Sequence, residues 1–191
     1  MSPAIPLPRK PAAAPGDPVQ QWYENELGWA TAAGPPAQLV AGLRFDVLEV
    51  PADAGFAVLR RLGTTAATGP VALDGNTVRF LVAAGSADEL PGLLEWLEWG
   101  GLARDLRAVG AGGLMPAPLP PGRPGPREAA VWLRPPGPGR EVEPTLPTLS
   151  ALTGLGKSAG APDLVRLVDT AATQCHRLRL LRASAQPLAF S

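Results

Sequence analysis

Cysteine, histidine and lysine are nearly missing from this chain of 191 residues, which has one Cys, one His and, among 17 basic residues, only Lys10 and Lys157 as lysines. The single Cys175 excludes an internal disulfide. One Cys beside one His, His176, cannot build a structural zinc site, and a serine–histidine–acid triad would have to use that same His176. Net charge is absent too: 17 acidic residues balance the basic ones, so there is no global excess for holding phosphates. No stretch approaches the ~20 apolar residues of a membrane span. The start, MSPAIPLPRKPAAAPGDP, lacks the apolar run of a signal peptide, so the expectation is a cytoplasmic chain with no membrane partner.

Glycine and proline, by contrast, number 22 and 24, while 46% of residues are apolar. That pairing predicts a real core carrying long irregular loops. Residues 1–16 read as a disordered proline-rich tail and 17–191 as one domain.

Asp17 and Pro18 have the chemistry of a helix cap and first turn, and Val19, Tyr23 and Leu27 then form one stripe flanked by Trp22 and Trp29. RFDVLEV alternates as a strand with Phe45, Val47 and Glu49 on one face and Asp46, Leu48 and Val50 on the other, stopped by Pro51. DAGFAVLRRLG is a short helix whose apolar side is either Phe56, Leu59 and Arg60 or Val58 and Leu62, and Gly63 closes it. Two strand-like runs flank Asp74-Gly75, a hairpin pair. SADELPGLLEWLEWG is helical, with capping-box spacing at Ser86 and Glu89, apolar Leu90, Leu93, Leu94 and Leu97, and a Pro91 that predicts a separate first turn. ARDLRAV alternates as a strand. AAVWLRP, after the proline/glycine loop 111–128, is a further strand, and a second such stretch covers 135–161. The final helix, PDLVRLVDTAATQCHRLRLLRA, presents Leu164, Leu167, Val168, Ala171, Cys175, Leu178 and Leu181 on one side and Arg177, Arg179 and Arg182 near its C-terminal end. The order strand–helix–strand–strand–helix–strand predicts an α+β fold: a ferredoxin- or RNA-recognition-like βαββαβ core in a mixed sheet, with extra N- and C-terminal helices and long loops.

FDVLEVPADAG, TGPVALDG, VRFLVAAG, ELPGLLEWLEWGG and AVWLRPP, within residues 40–135, resemble the N-terminal module of actinobacterial bifunctional DNA primase/polymerase-like proteins of the archaeo-eukaryotic primase superfamily. The whole chain also resembles a small family of Streptomyces-type actinobacteria, in keeping with its Ala-, Gly-, Pro- and Arg-rich composition. The resemblance implies a sheet on which two acids at i and i+2 share divalent metals, with a histidine on a neighbouring strand. Here Asp46 is followed at i+2 by Leu48, Glu49 is preceded at i−2 by Val47, and NTVRFLV offers Arg79 where the histidine would stand. The family's catalytic motifs are degenerate.

Three functions follow. The first is a non-catalytic binding or regulatory module whose partner is a protein or a nucleic acid, needing no cofactor or metal. The second is a metal-dependent nucleotidyl transferase with a rearranged site of Asp46, Glu49 and Asp74. The third is a structural oligomerisation protein. The candidate binding residues are Trp96 and Trp99, as an aromatic pair, and Arg177, Arg179 and Arg182. Phe45 and Phe80, where an RNA-binding sheet would stack bases, sit among alternating valines and read as core. ALTGLGKS, residues 151–158, matches a loose phosphate-loop pattern, but prolines precede it and AGAP separates Ser158 from the next helix, so it reads as a loop. The closing QPLAFS is compatible with either burial or display of Leu188 and Phe190.

Overall fold

The computed structural model describes residues 17–32, 34–63, 68–149 and 163–185. The tail, the 151–158 motif and QPLAFS lie outside the described residues. The class is α+β. Five strands, β3 (Phe45–Pro51), β4 (Val71–Asp74), β5 (Thr77–Ala83), β6 (Arg107–Val109) and β8 (Val131–Arg134), form one sheet in the order β6-β3-β5-β4-β8. Every pairing in it is antiparallel, which corrects the expectation of a mixed sheet. The crossovers between β3 and β4 and between β5 and β6 are helices α2 (Ala52–Leu62) and α3 (Ser86–Trp96). Each helical crossover returns the chain parallel to the strand it left, and the strand lying between the two, β5 or β3, pairs antiparallel with both.

One face of the sheet carries Leu48, Val50, Val71, Val78, Phe80 and Val82, all buried beneath α2, α3 and the long C-terminal helix α4 (Leu164–Ala185). Val58 and Leu62 supply the buried side of α2, so Phe56 turns outward. On α4 the buried stripe runs from Leu164 to Cys175; Leu181, expected to continue it, is exposed and lies in the groove against α2.

The opposite face, with Phe45, Val47, Ala72 and Leu81, is also buried. It is covered by α1 (Pro18–Trp22), by loop residues Val142 and Leu146, and by a second sheet of β1 (Thr31–Ala32), β2 (Gln38–Val40) and β7 (Leu114–Pro116) in the order β1-β2-β7. The proline/glycine loop 111–128 therefore contributes a strand, which its composition concealed. Asp17 caps α1 through Val19 N–H, at 2.8 Å, and Pro18 takes the first turn. The helix then widens into a π turn over Tyr23–Leu27 and stops at Gly28, whose φ of +67° favours glycine. Trp29 folds beneath, stacked on Tyr23 at 5.7 Å and lying 4.7 Å from Phe45 between ring centroids. The Tyr23 hydroxyl donates to the Pro118 carbonyl, at 2.7 Å, and accepts from Trp132 Nε1, at 2.9 Å. Burial pushes that phenol well above its ordinary pKa, so it stays a donor.

The β4–β5 hairpin turns one residue later than Asp74-Gly75 suggests: Asp74 pairs with Thr77, leaving Gly75 and Asn76 as the loop. Gly75 takes φ +54° at the first loop position. The Asn76 carbonyl accepts the first N–H of α2, that of Ala52, at 2.9 Å. Helix α3 is continuous through the exposed Pro91, so its first turn is not separate. Its N-cap is Gly85, without a side-chain cap bond, and the capping box expected at Ser86 and Glu89 does not form.

Two glycines test the packing. A Cβ on Gly55 would overlap the Val78 side chain, whereas Gly92 in α3 has open space around it. Gly55→Ala is expected to lose about 1–3 kcal/mol and Gly92→Ala to gain about 0.5–1 kcal/mol, both read from the shift in the denaturant midpoint.

Candidate functional site

The acids foreseen as a catalytic set are divided between the two faces of the sheet. Asp46 points into the helix side and is 1% exposed. Its Oδ2 accepts from Ala87 N–H at 2.8 Å, so it takes up one of the unpaired N–H groups at the start of α3 and lies at the positive end of that helix. Gly110 closes around it, since a Cβ there would come within 2.7 Å of the Ala87 Cβ. The other oxygen, Oδ1, is buried with no partner.

Glu49 and Asp74 share the other face, with Arg79 between them. Glu49 is directly opposite Arg79 across the β3–β5 ladder. Arg79 donates through Nε to Glu49 Oε1 and through Nη1 to Asp74 Oδ2, each at 2.7 Å. Arg79 thus holds both acids as an ion triad. Among the described residues no group of three or more His, Cys, Asp or Glu side chains is arranged to hold a metal. Phe45 and Phe80 are both buried, on opposite faces, where bases could not reach them.

The remaining candidates collect around α4. Trp99 is half-buried: its Nε1 donates to Asp169 Oδ1 at 2.9 Å and its ring lies 5.9 Å from that of His176. Trp96, in contrast, is 66% exposed. The two tryptophans therefore differ in exposure, and Trp99 is the one tied to α4. Arg179 donates to the Leu102 carbonyl and to Asp105 Oδ2, both at 2.9 Å, and so ties α4 to the segment before β6. Arg182 lies 3.6 Å from Asp53 on α2. Arg177 is exposed and makes no ion pair among the described residues.

Between α2 and α4 runs a groove of about 560 Å³. Its walls are Phe56, Ala57 and Leu59 from α2 and Leu178 and Leu181 from α4; Arg60 and Arg177 stand at its margin with Asp53 and Gln174. Phe56 is 38% and Leu181 64% exposed, which leaves apolar area facing water. The lining holds two guanidinium groups, Arg60 and Arg177, and one carboxylate, Asp53, which also has Arg182 at 3.6 Å, so the groove is net positive. Sequence reasoning named Arg177 and Arg182 but missed Phe56, Leu181 and Arg60 as groove residues. The available signal was that α2 has two apolar stripes and can bury only one.

Cys175 and His176 diverge as adjacent helical residues must. Burial pushes the Cys175 thiol up to about 11, with the Asp105 charge adding to the effect. Comparison with protein-family models, curated proteins and solved structures finds no match to this chain.

Replacing Arg79 by Met leaves Glu49 and Asp74 half-buried without a counter-charge and is expected to cost about 1–3 kcal/mol. Adding Glu49→Gln should restore part of that loss, which a double-mutant cycle in denaturant measures. At pH 8, three units below a pKa of about 11, roughly one thiol in a thousand is ionised. Cys175 should therefore react with a thiol reagent only slowly in the folded chain, faster as pH rises toward that value, and fully once the chain is unfolded.

Proposed function

We propose that this chain is a non-catalytic binding module on a degenerate primase/polymerase-like fold, and that it docks an acidic, apolar segment of a partner protein in the groove between α2 and α4. The observation that carries the reading is the groove's composition: exposed Phe56 and Leu181 beside Arg60 and Arg177, two guanidinium groups against the single carboxylate of Asp53. An amphipathic helix laid in such a groove buries its apolar face and places its acids against the two guanidinium groups. The apolar walls favour protein over nucleic acid. A strand of nucleic acid would need several stacking rings, and Phe56 is the single aromatic residue in the lining. The engagement of Glu49 and Asp74 by Arg79, and of Asp46 by α3, supports a role that does not use those acids for chemistry.

The test is fluorescence anisotropy with two labelled helical peptides, one of leucine and glutamate and one of leucine and lysine, alongside labelled single-stranded DNA with manganese and nucleotide. The acidic peptide should bind and weaken as salt rises. Phe56→Glu and Leu181→Glu should each weaken it about tenfold, the scale of losing one buried anchor. Equal binding of the lysine peptide, or indifference to both substitutions, overturns the proposal. DNA binding that needs manganese and nucleotide and vanishes in Glu49→Gln replaces it with nucleotidyl transfer.

A further inference from the structure

A second groove, of about 500 Å³, opens beside the other sheet face, where the start of α1, the end of β7 and the loop before β8 meet. Its floor is short and apolar, with Pro36, Pro116 and Leu119 among the floor residues, and its margin carries Asp17, Asp74 and Glu128. No basic side chain lines it. Asp17 is held in place by the α1 cap, where it accepts a neutral N–H and has no ion pair among the described residues. Asp74 shares its one guanidinium, that of Arg79, with Glu49, so that triad still carries a net negative charge. Glu128 is exposed and has no ion pair among the described residues. The groove is thus apolar at its base and negative at its margin, the reverse of the α2–α4 groove.

The prolines decide what can lie there. Pro35, Pro36, Pro116 and Pro126 line the groove and have no N–H to offer. A ligand that adds as a β-strand would find too few donors along this floor. A polyproline-type segment needs none, because its backbone stays solvated and it binds through its apolar ridges. Three separated carboxylates that do not converge on a metal suit basic side chains spaced along such a segment.

We propose that this groove binds a basic, proline-rich extended segment of a partner protein, with arginine or lysine heads on Asp17, Asp74 and Glu128 and the proline ridges on the floor. The site is independent of the α2–α4 groove. A chain using both would join a basic proline-rich partner to an acidic one.

A probe of the right chemistry is the peptide PLPRKP, which is also the sequence of residues 6–11 of this chain. The experiment titrates it into the isotope-labelled full chain and follows backbone amides by NMR, next to a control peptide with glutamates in place of its Arg and Lys. The expected result is shifts at Ala37, Ala117, Leu119 and Ala130, weakened about tenfold by Glu128→Lys and absent with the control peptide. Glu128 is exposed and unpaired, so that variant keeps the fold, and an unchanged amide spectrum away from the groove verifies it. Shifts confined to α2 and α4, equal binding of the control, or no shift at millimolar peptide in both the full chain and its Arg9→Glu/Lys10→Glu variant, whose own copy of the motif cannot compete, overturns the proposal. Because the leucine–glutamate peptide reports the other groove, either reading can fail while the other stands.

Discussion

Strands β3 and β5 are apolar on both faces, and both faces must therefore be covered. Leu48, Val50, Phe80 and Val82 demand one layer; Phe45, Val47 and Leu81 demand another. Each such side chain fully buried contributes roughly 1.5–3 kcal/mol, so neither face can be left to water. The helices α2, α3 and α4 answer the first demand. The second is met by pieces that look unrelated in the chain: a short N-terminal helix, a three-stranded sheet assembled from β1, β2 and β7, and the loop that carries Val142 and Leu146. The ion pair of Arg44 with Glu143 fastens that loop beside the start of β3.

This double cover closes both faces of the sheet. A nucleic-acid-binding sheet of the RNA-recognition kind needs an open face, and here that face lies under Tyr23, Trp29 and Met115. Polar groups trapped by the cover are put to structural use. The Tyr23 hydroxyl links α1 to Pro118 and Trp132, and Arg79 joins three strands through Glu49 and Asp74. On the outer surface, two grooves of opposite charge lie on different sides of the sheet. Their separation is a consequence of the layering, since one is made by the helical layer and the other by the layer across from it.

Much of this was legible beforehand where a local rule is strong. Asp17-Pro18 starts α1, the alternation of RFDVLEV sends Asp46 and Glu49 to opposite faces, and a glycine-containing turn joins β4 to β5. The misses share one cause, a distant residue overriding a local signal. Ser86 and Glu89 have capping spacing, but Asp46, 41 positions away, takes the Ala87 N–H. Pro91 does not divide α3, because its side chain faces water and the turns on either side are held by Leu90 and Leu93 in the core. Leu181, placed on the apolar stripe of α4, is exposed in the groove beside Phe56 of α2.

The sequence by itself determined the α+β class, the elements of the five-stranded sheet and the two-sided apolar character of its central strands, because these follow from periods of two and 3.6 residues and from turn chemistry within a few positions. Only the tertiary structure decided that Arg79 pairs with both Glu49 and Asp74, that the 111–128 loop yields a strand, and which stripe of α2 faces water. Those outcomes depend on which residues meet across the sheet and between layers. Such meetings are set by the packing of the whole core, and no local pattern encodes them.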